Sequence, residues 1–360
     1  MQNLMLAILL LQTSIGPVQV PELPAPTREA LPNNPSELAI LRAGDALYEQ
    51  GKFDDAARRY DEVLKANPNN VSAMHQLADT YFQQHEYQKA VDLAINGLEF
   101  KSTIRPLFYV LIGNTLDITG QYQRAVDTYR SGLAIAPGSG ILHYNLGVTL
   151  NTSLKDAAQG RTAFKQGALA DPNYPGIQFQ LAASFAMDDL KTPALLASSR
   201  YLVLDPTSNR AATAYNMWRQ MLNGNARPPD QNGQIQILVN PNQKKDEGNL
   251  QVLDMDISMS KVLALKASAG KSQMQSMFEQ VDSLFKMYGT RPAGEDKDKM
   301  VWTYYIPYVA EMQQKNFVEP FVYYVSQRTT IPGVREWLAA NPGRVAAFLD
   351  WSKDYSWPKD

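Results

Sequence analysis

Small and apolar residues recur along residues 37–208 at fixed offsets, with a period of about 34 residues. The unit at 37–70 carries Gly44, Leu47, Gly51, Phe53, Ala56, Tyr60, Val63 and Pro68. The unit from Val71 answers with Leu77, Ala78, Tyr81, Tyr87, Ala90, Ala94 and Gly97, and the unit from Pro106 with Ile112, Gly113, Leu116, Gly120, Tyr122, Ala125, Tyr129, Gly132 and Pro137. A fourth unit, from Gly140, keeps Leu146, Gly147, Leu150, Gly160, Phe164, Gly167 and Pro172 but has one extra residue in its middle. The fifth, from Pro175, is worn down to Leu181, Ala182, Phe185, Ala194 and Pro206. Each unit predicts two antiparallel helices, with small residues where they cross and a proline that stops the second helix. Ala56, Ala90 and Ala125 are the expected crossing points, opposite Gly44, Ala78 and Gly113. A single hairpin cannot bury its apolar side alone, so neighbours must stack.

These residues resemble the tetratricopeptide repeat family over roughly half the chain. The fourth unit departs from the pattern, with Leu154 and Asp156 in place of the turn glycine and aromatic, and in the second unit His85 replaces the turn glycine. The resemblance implies a mainly α chain: an α-solenoid of about five helical hairpins over 37–222, closed by a capping helix at 209–222. It also implies a groove lined by the first helix of each hairpin, at Leu41, Asp45 and Tyr48, then His75, Asp79 and Phe82, then Val110, Asn114 and Asp117, then Tyr144, Val148 and Asn151. Some relatives clamp a C-terminal carboxylate with lysine and asparagine; here Leu41 and His75 stand at the lysine positions. The lining is mixed apolar and acidic, which suits a protein partner with apolar anchors and some basic residues.

Beyond the solenoid the pattern changes. Gly224, Pro228, Pro229 and Gly233 mark a linker over 223–248. Alternation at 234–239 and 250–257 predicts one or two short strands. The region 249–360 then reads as a small, mostly helical, aromatic-rich domain resembling the C-terminal regions of secreted bacterial repeat proteins. Its helices are expected near 259–268, 271–288, 297–315 and 317–328, with two more around Trp337 and Phe348. In the third of these, Trp302, Tyr305, Ile306, Val309 and Met312 form a core stripe, while Tyr304 and Tyr308 fall on a second face, and Pro307 should kink it.

At the other end, 4–11 is an apolar run too short to span a bilayer as a helix and the right length for a signal peptide core. No Lys or Arg precedes it. Residues 1–20 therefore read as a signal peptide, residues 21–36 as a solvated proline-rich tether, and the protein as periplasmic or secreted, touching membrane only through an uncleaved signal. The formal charge of −2 gives no reason to expect nucleic acid. Without cysteine, thiol catalysis, disulfides and thiolate metal sites are excluded.

Candidate chemistry is sparse. His75, His85 and His143 have no second histidine at ligand spacing, so no metal or other cofactor is expected. Ser258 and Lys261 match the S-x-x-K spacing of penicillin-recognising hydrolases, without that family's companion motifs downstream. Residues 265–272 end like a phosphate-binding loop but have Leu265 where the first glycine must be. Asp254 and Asp256 would share a strand face able to meet a hard cation, or simply form its wet side. The expected function is thus a non-catalytic protein-interaction scaffold. The alternatives are glycan binding through exposed Tyr304, Tyr308, Trp351 and Trp357, or a serine hydrolase.

Overall fold

The first helix of each of the first two repeats starts on a side-chain cap. Asn34 accepts from the Glu37 amide and Glu37 reaches back to Asn34, a reciprocal cap on α1 (Pro35–Glu49). The nearly buried Glu37 carboxylate also accepts from Asn67 and from Asn70, which caps α3 (Val71–Gln83). One carboxylate thereby ties the start of the first repeat to the start of the second.

The computed structural model describes residues 16–226, 236–237, 250–292 and 300–358. The chain divides into two compact units, Met1–Ala163 and Phe164–Asp360. The division falls inside a helix rather than at the proline- and glycine-rich stretch near 223–233.

The first unit pairs α1 with α2 (Phe53–Ala66), α3 with α4 (Tyr87–Leu98) and α5 (Arg105–Ile118) with α6 (Tyr122–Ile135). A fourth hairpin follows, from α7 (Gly140–Val148) into α8 (Ala157–Ala170). Ala56, Ala90 and Ala125 are completely buried, as expected of crossing points. Gly44 has a more specific reason to be glycine: a Cβ there would sit 2.5 Å from the Tyr60 ring, and Gly113 stands in the same relation to Tyr129. The second repeat keeps the balance with two alanines, Ala78 and Ala94, both fully buried.

The turn inside each hairpin repeats more faithfully than its residues do. Gly51, His85, Gly120, Lys155 and, in the second unit, Asp189 all take positive φ. After four of these turns the next backbone N–H donates to a carbonyl five residues back (Lys52 to Leu47, Glu86 to Tyr81, Gln121 to Leu116, Leu190 to Phe185). In the fourth hairpin Asp156 reaches back six, to Leu150. The extra residue is absorbed by a π-helical segment, Thr149–Ser153, whose wider turn keeps both flanking helices in register.

The expected tether over 21–36 is mostly exposed but pinned at Arg28–Glu29, and residues 18–20 just ahead of it are docked on the first unit. Val18 is only 5% exposed and joins the first unit's core. Gln88 exchanges two hydrogen bonds with the Gln19 backbone, Gln121 donates to the Val18 carbonyl and Arg124 to the Val20 carbonyl. β1 (Arg28–Glu29) then pairs in parallel with β2 (Phe100–Lys101), and the Arg28 guanidinium lies over the Phe100 ring. Proline suits such a segment because the extended backbone can be held through its carbonyls. The expected signal core at 4–11 lies outside the described residues.

The second unit begins with the fifth hairpin, α9 (Pro175–Met187) and α10 (Lys191–Leu204), followed by α11 (Ala211–Leu222). Next come α12 (Gln251–Lys266), α13 (Gln273–Thr290), α14 (Ile306–Gln314), α15 (Val318–Val325), α16 (Val334–Ala340) and α17 (Pro342–Lys353). The strand expected at 250–257 is instead the start of α12. Leu250, Leu253, Ile257 and Ala264 are its buried apolar positions, spaced three, four and seven apart, so a helical stripe underlies the apparent alternation. At 234–239 only Gln236 and Ile237 are described, with Ile237 bridged antiparallel to Ala226. The rest of the expected linker, 227–235 and 238–248, lies outside the described residues. Before Pro307 the backbone is π-helical over Val301–Tyr305 and becomes α-helical at Ile306, so the break takes the form of a widened turn that accommodates the missing donor.

A cleft between the first two repeats

On α1, Asp45, Tyr48 and Glu49 lie within one turn and share a side of the helix; on α3, His75, Gln76 and Asp79 do the same. Together with Tyr60 from α2 they line a cleft of about 280 Å³ in the first unit. Its walls are held by a chain of hydrogen bonds. Asp45 Oδ1 accepts from the Tyr60 hydroxyl at 2.8 Å and from Gln76 Nε2 at 2.6 Å. The Tyr48 hydroxyl donates to Asp79 Oδ2 at 2.5 Å. Burial, with the adjoining carboxylate as the next cause, pushes both tyrosine hydroxyls well above their ordinary pKa, so they remain donors. Burial likewise pushes His75 below its ordinary 6.5, against the pull of Asp79, which leaves the imidazole neutral near pH 7. Three carboxylates therefore line the cleft, and no Lys or Arg does.

The cleft gathers four of the twelve groove positions: Asp45, Tyr48, His75 and Asp79. Leu41 and Val110 are corrections, because both are buried in the core at 4% and 7% exposure and offer nothing to a partner. They fail because an apolar residue at that place in the first helix packs onto its neighbours. Phe82 is half-buried, edge-on to Tyr87, and stands outside the cleft lining. Asn114 accepts from the Tyr129 hydroxyl at 2.7 Å, reproducing the Asp45–Tyr60 bond two repeats further on. Asp117 is half-buried, with one carboxylate oxygen enclosed and without a donor. Tyr144, Val148 and Asn151 are half-buried on α7 and its π-helical extension. Sequence reasoning missed Glu49, Tyr60 and Gln76. The fifteen-residue spacing shared by Asp45–Tyr60 and Asn114–Tyr129 was the available signal.

The other candidate chemistries meet definite obstacles. The Ser258 side chain is fully buried, accepting from the Asn225 amide and donating to the Asp254 carbonyl. Lys261 faces a separate small cleft beside Arg219, and burial lowers its pKa. Asp254 and Asp256 lie on a helix rather than a strand. Asp254 accepts from the amide and hydroxyl of Thr192, and Asp256 holds Arg291 with both oxygens. At the end of 265–272, Ser272 caps α13 itself and Lys271 pairs with Glu279. Among the described residues no group of three His, Asp or Glu could hold a metal, and no helix is long and apolar enough to cross a membrane.

The aromatic rings of the second unit cover one another. Tyr304 and Tyr308 are buried, Trp351 and Trp357 half-buried, and the four stack in series as Trp351–Tyr308–Trp357–Tyr304. A sugar needs an open ring face, and both faces of Tyr308 are taken. Exposed stacking platforms, the feature expected of a glycan binder, are therefore lost at these tyrosines.

Two family models, each described as a tetratricopeptide repeat, match residues 41–101 and 107–139. Among curated proteins, the Hsp70-Hsp90 organising protein of Plasmodium falciparum is 28% identical over 96 residues, covering 25% of this chain and 17% of that protein. The small glutamine-rich tetratricopeptide repeat-containing protein 2 of Mycosarcoma maydis is 27% identical over 122 residues, covering 32% and 34%. The chain thus spans about a third or less of the length of the curated relatives it matches. Among solved structures, a thermophilic repeat protein of Thermus thermophilus aligns at 19% identity and a TM-score of 0.42, over 52% of this chain and 98% of that one. PilF of Pseudomonas aeruginosa aligns at 16% and 0.40, over 52% and 89%. The helical hairpins over residues 41–101 and 107–139 are tetratricopeptide repeats.

Proposed function

We propose that this protein is a non-catalytic interaction scaffold, and that its first unit holds an extended peptide or a helix of another protein along the first helices of repeats one to three. The observation that carries the reading is the cleft between α1 and α3. It is walled by two tyrosines, lined by unpaired acidic oxygens, and framed by hydrogen bonds that fix its shape before any partner arrives. One matched relative is named for organising two chaperones, which fits a binding role for such repeats. The test is a photo-crosslinking residue placed at exposed Glu49, compared with one at exposed Arg59 on α2. A partner crosslinked from cell extract only through position 49 supports the groove. Equal capture at both positions, or capture at neither, refutes it.

The same proposal places the protein outside the cytoplasm, released by cleavage near Gly16. Cleavage after Val20 would remove the buried Val18 and the backbone groups held by Gln88, Gln121 and Arg124. N-terminal sequencing of the protein recovered from a cell-envelope fraction decides it: a start at 17 fits, and a full-length cytoplasmic chain ends the export reading.

A further inference from the structure

We infer that the cleft between the first two repeats is a subsite for a basic side chain of the partner, arginine ahead of lysine. The inference rests on the groove reading above and deepens it. Three separate features of the site ask for a hydrogen-bond donor carrying positive charge.

The first is what the carboxylates have left over. Asp45 uses Oδ1 for both Tyr60 and Gln76, and Asp79 uses Oδ2 for Tyr48. Asp45 Oδ2 and Asp79 Oδ1 have no protein donor, and Glu49 stands exposed at the edge with its own carboxylate. The second is an enclosed acceptor. Gln76 Nε2 is committed to Asp45, which fixes the orientation of the amide, and its Oε1 is shut from solvent with no donor at all. A buried acceptor left without a donor costs free energy that an incoming N–H would recover. The third is shape and composition. The cleft is a formed cavity of about 280 Å³ with tyrosine walls, and none of its seven lining residues is Lys or Arg.

A guanidinium meets these demands better than an ammonium. It is planar, presents five donors in a fixed fork, lies against aromatic faces, and stays charged at any physiological pH. It can bridge two carboxylates while an ammonium at the same depth serves fewer acceptors. His75 adds no opposing charge, since burial keeps its ring neutral. The tyrosines stay protonated and so continue to orient the two aspartates toward the occupant.

The test uses the full chain and a phage-displayed library of random peptides, selected in parallel on wild type and on the Asp45→Asn/Asp79→Asn variant. Asparagine still accepts from Tyr60, Gln76 and Tyr48, so the walls persist while the charge goes; an unchanged melting temperature checks this. The expected result is an enriched wild-type consensus with arginine at one fixed place, absent from the variant's selection. A synthetic consensus peptide should then lose at least tenfold in affinity when that arginine becomes citrulline, and a smaller factor when it becomes lysine. Against the double variant, the arginine and citrulline peptides should bind equally. A consensus with no basic position, or peptides indifferent to citrulline, overturns the basic subsite. If those peptides still block crosslinking at Glu49, the groove reading stands without it. If the selected peptides neither block that crosslink nor discriminate the variant, both readings fall.

Discussion

The first and fifth hairpins share one backbone design and put it to opposite uses. Gly51 and Asp189 turn the chain through the same left-handed conformation, and the same five-residue hydrogen bond follows each. Yet the first helix of repeat one leaves Asp45, Tyr48 and Glu49 around an open cleft, whereas α10 of repeat five is buried on every side over residues 192–203. Inside the second unit, Gln178 on α9 meets the hydroxyls of Tyr304 and Tyr305. Arg200, only 1% exposed, donates to Ser352 and Asn173 and lies over the rings of Tyr308 and Trp357. The same hairpin design is thus compatible with an open cleft or with a buried core, depending on what the chain folds back onto it.

The contrast should show first in arginine. Arg200→Leu removes charged hydrogen bonds to Ser352 and Asn173 and leaves the Tyr308 and Ser352 hydroxyls only each other, so it should cost the second unit about 3 kcal/mol. Arg42→Leu, on the exposed side of α1, should change stability by no more than about 0.5 kcal/mol. Denaturant titrations of the two variants compare them directly, and equal losses would erase the distinction.

Next in size comes crowding at a helix crossing. Ala90→Leu, at a position with no exposed surface, should destabilise the first unit by roughly 1–3 kcal/mol through overpacking. Calorimetry that found the melting temperature unmoved would mean the repeats are out of register. Smaller still, Tyr48→Phe removes only the hydroxyl that pins Asp79 and should cost roughly 0.5–1.5 kcal/mol. Its larger signature is a weaker grip on arginine peptides.

The smallest effect is on pH dependence. Burial pushes His75 and His143 below the ordinary 6.5, so the unfolded chain takes up protons that the folded chain refuses. Their contribution to stability is complete above about pH 6.5 and declines as pH falls from there toward the folded values. Urea midpoints measured between pH 7.5 and 5 should fall, and His143→Asn should flatten the slope. A midpoint that rises on acidification would reverse the sign assigned to both groups.

The repeats were legible because their spacing is imposed by packing: small residues at crossings and prolines at ends leave a mark every hairpin must carry. The turns were only half legible, since His85, Lys155 and Asp189 adopt a conformation glycine advertises and they do not. The docked segment at 18–20 was invisible, because Gln88, Gln121 and Arg124 hold it through its backbone carbonyls and amide, which have no sequence. At 250–257 the chain looked like a strand because Val252 and Met255 are apolar yet exposed, masking the helical spacing of Leu250, Leu253 and Ile257. In the cleft, Asp45 and Asp79 could be read from their repeat positions. Tyr60 could have been read from its fifteen-residue spacing to Asp45, but Gln76 could not, since its role depends on a contact between repeats.

The account turns on the claim that a partner occupies the open cleft of the first unit and not the aromatic second unit. Hydrogen–deuterium exchange on the full chain, with and without a selected arginine peptide, reads both units at once. Protection confined to α1 and α3 is the predicted result; protection confined to α14–α17, with α1 and α3 unchanged, would contradict it.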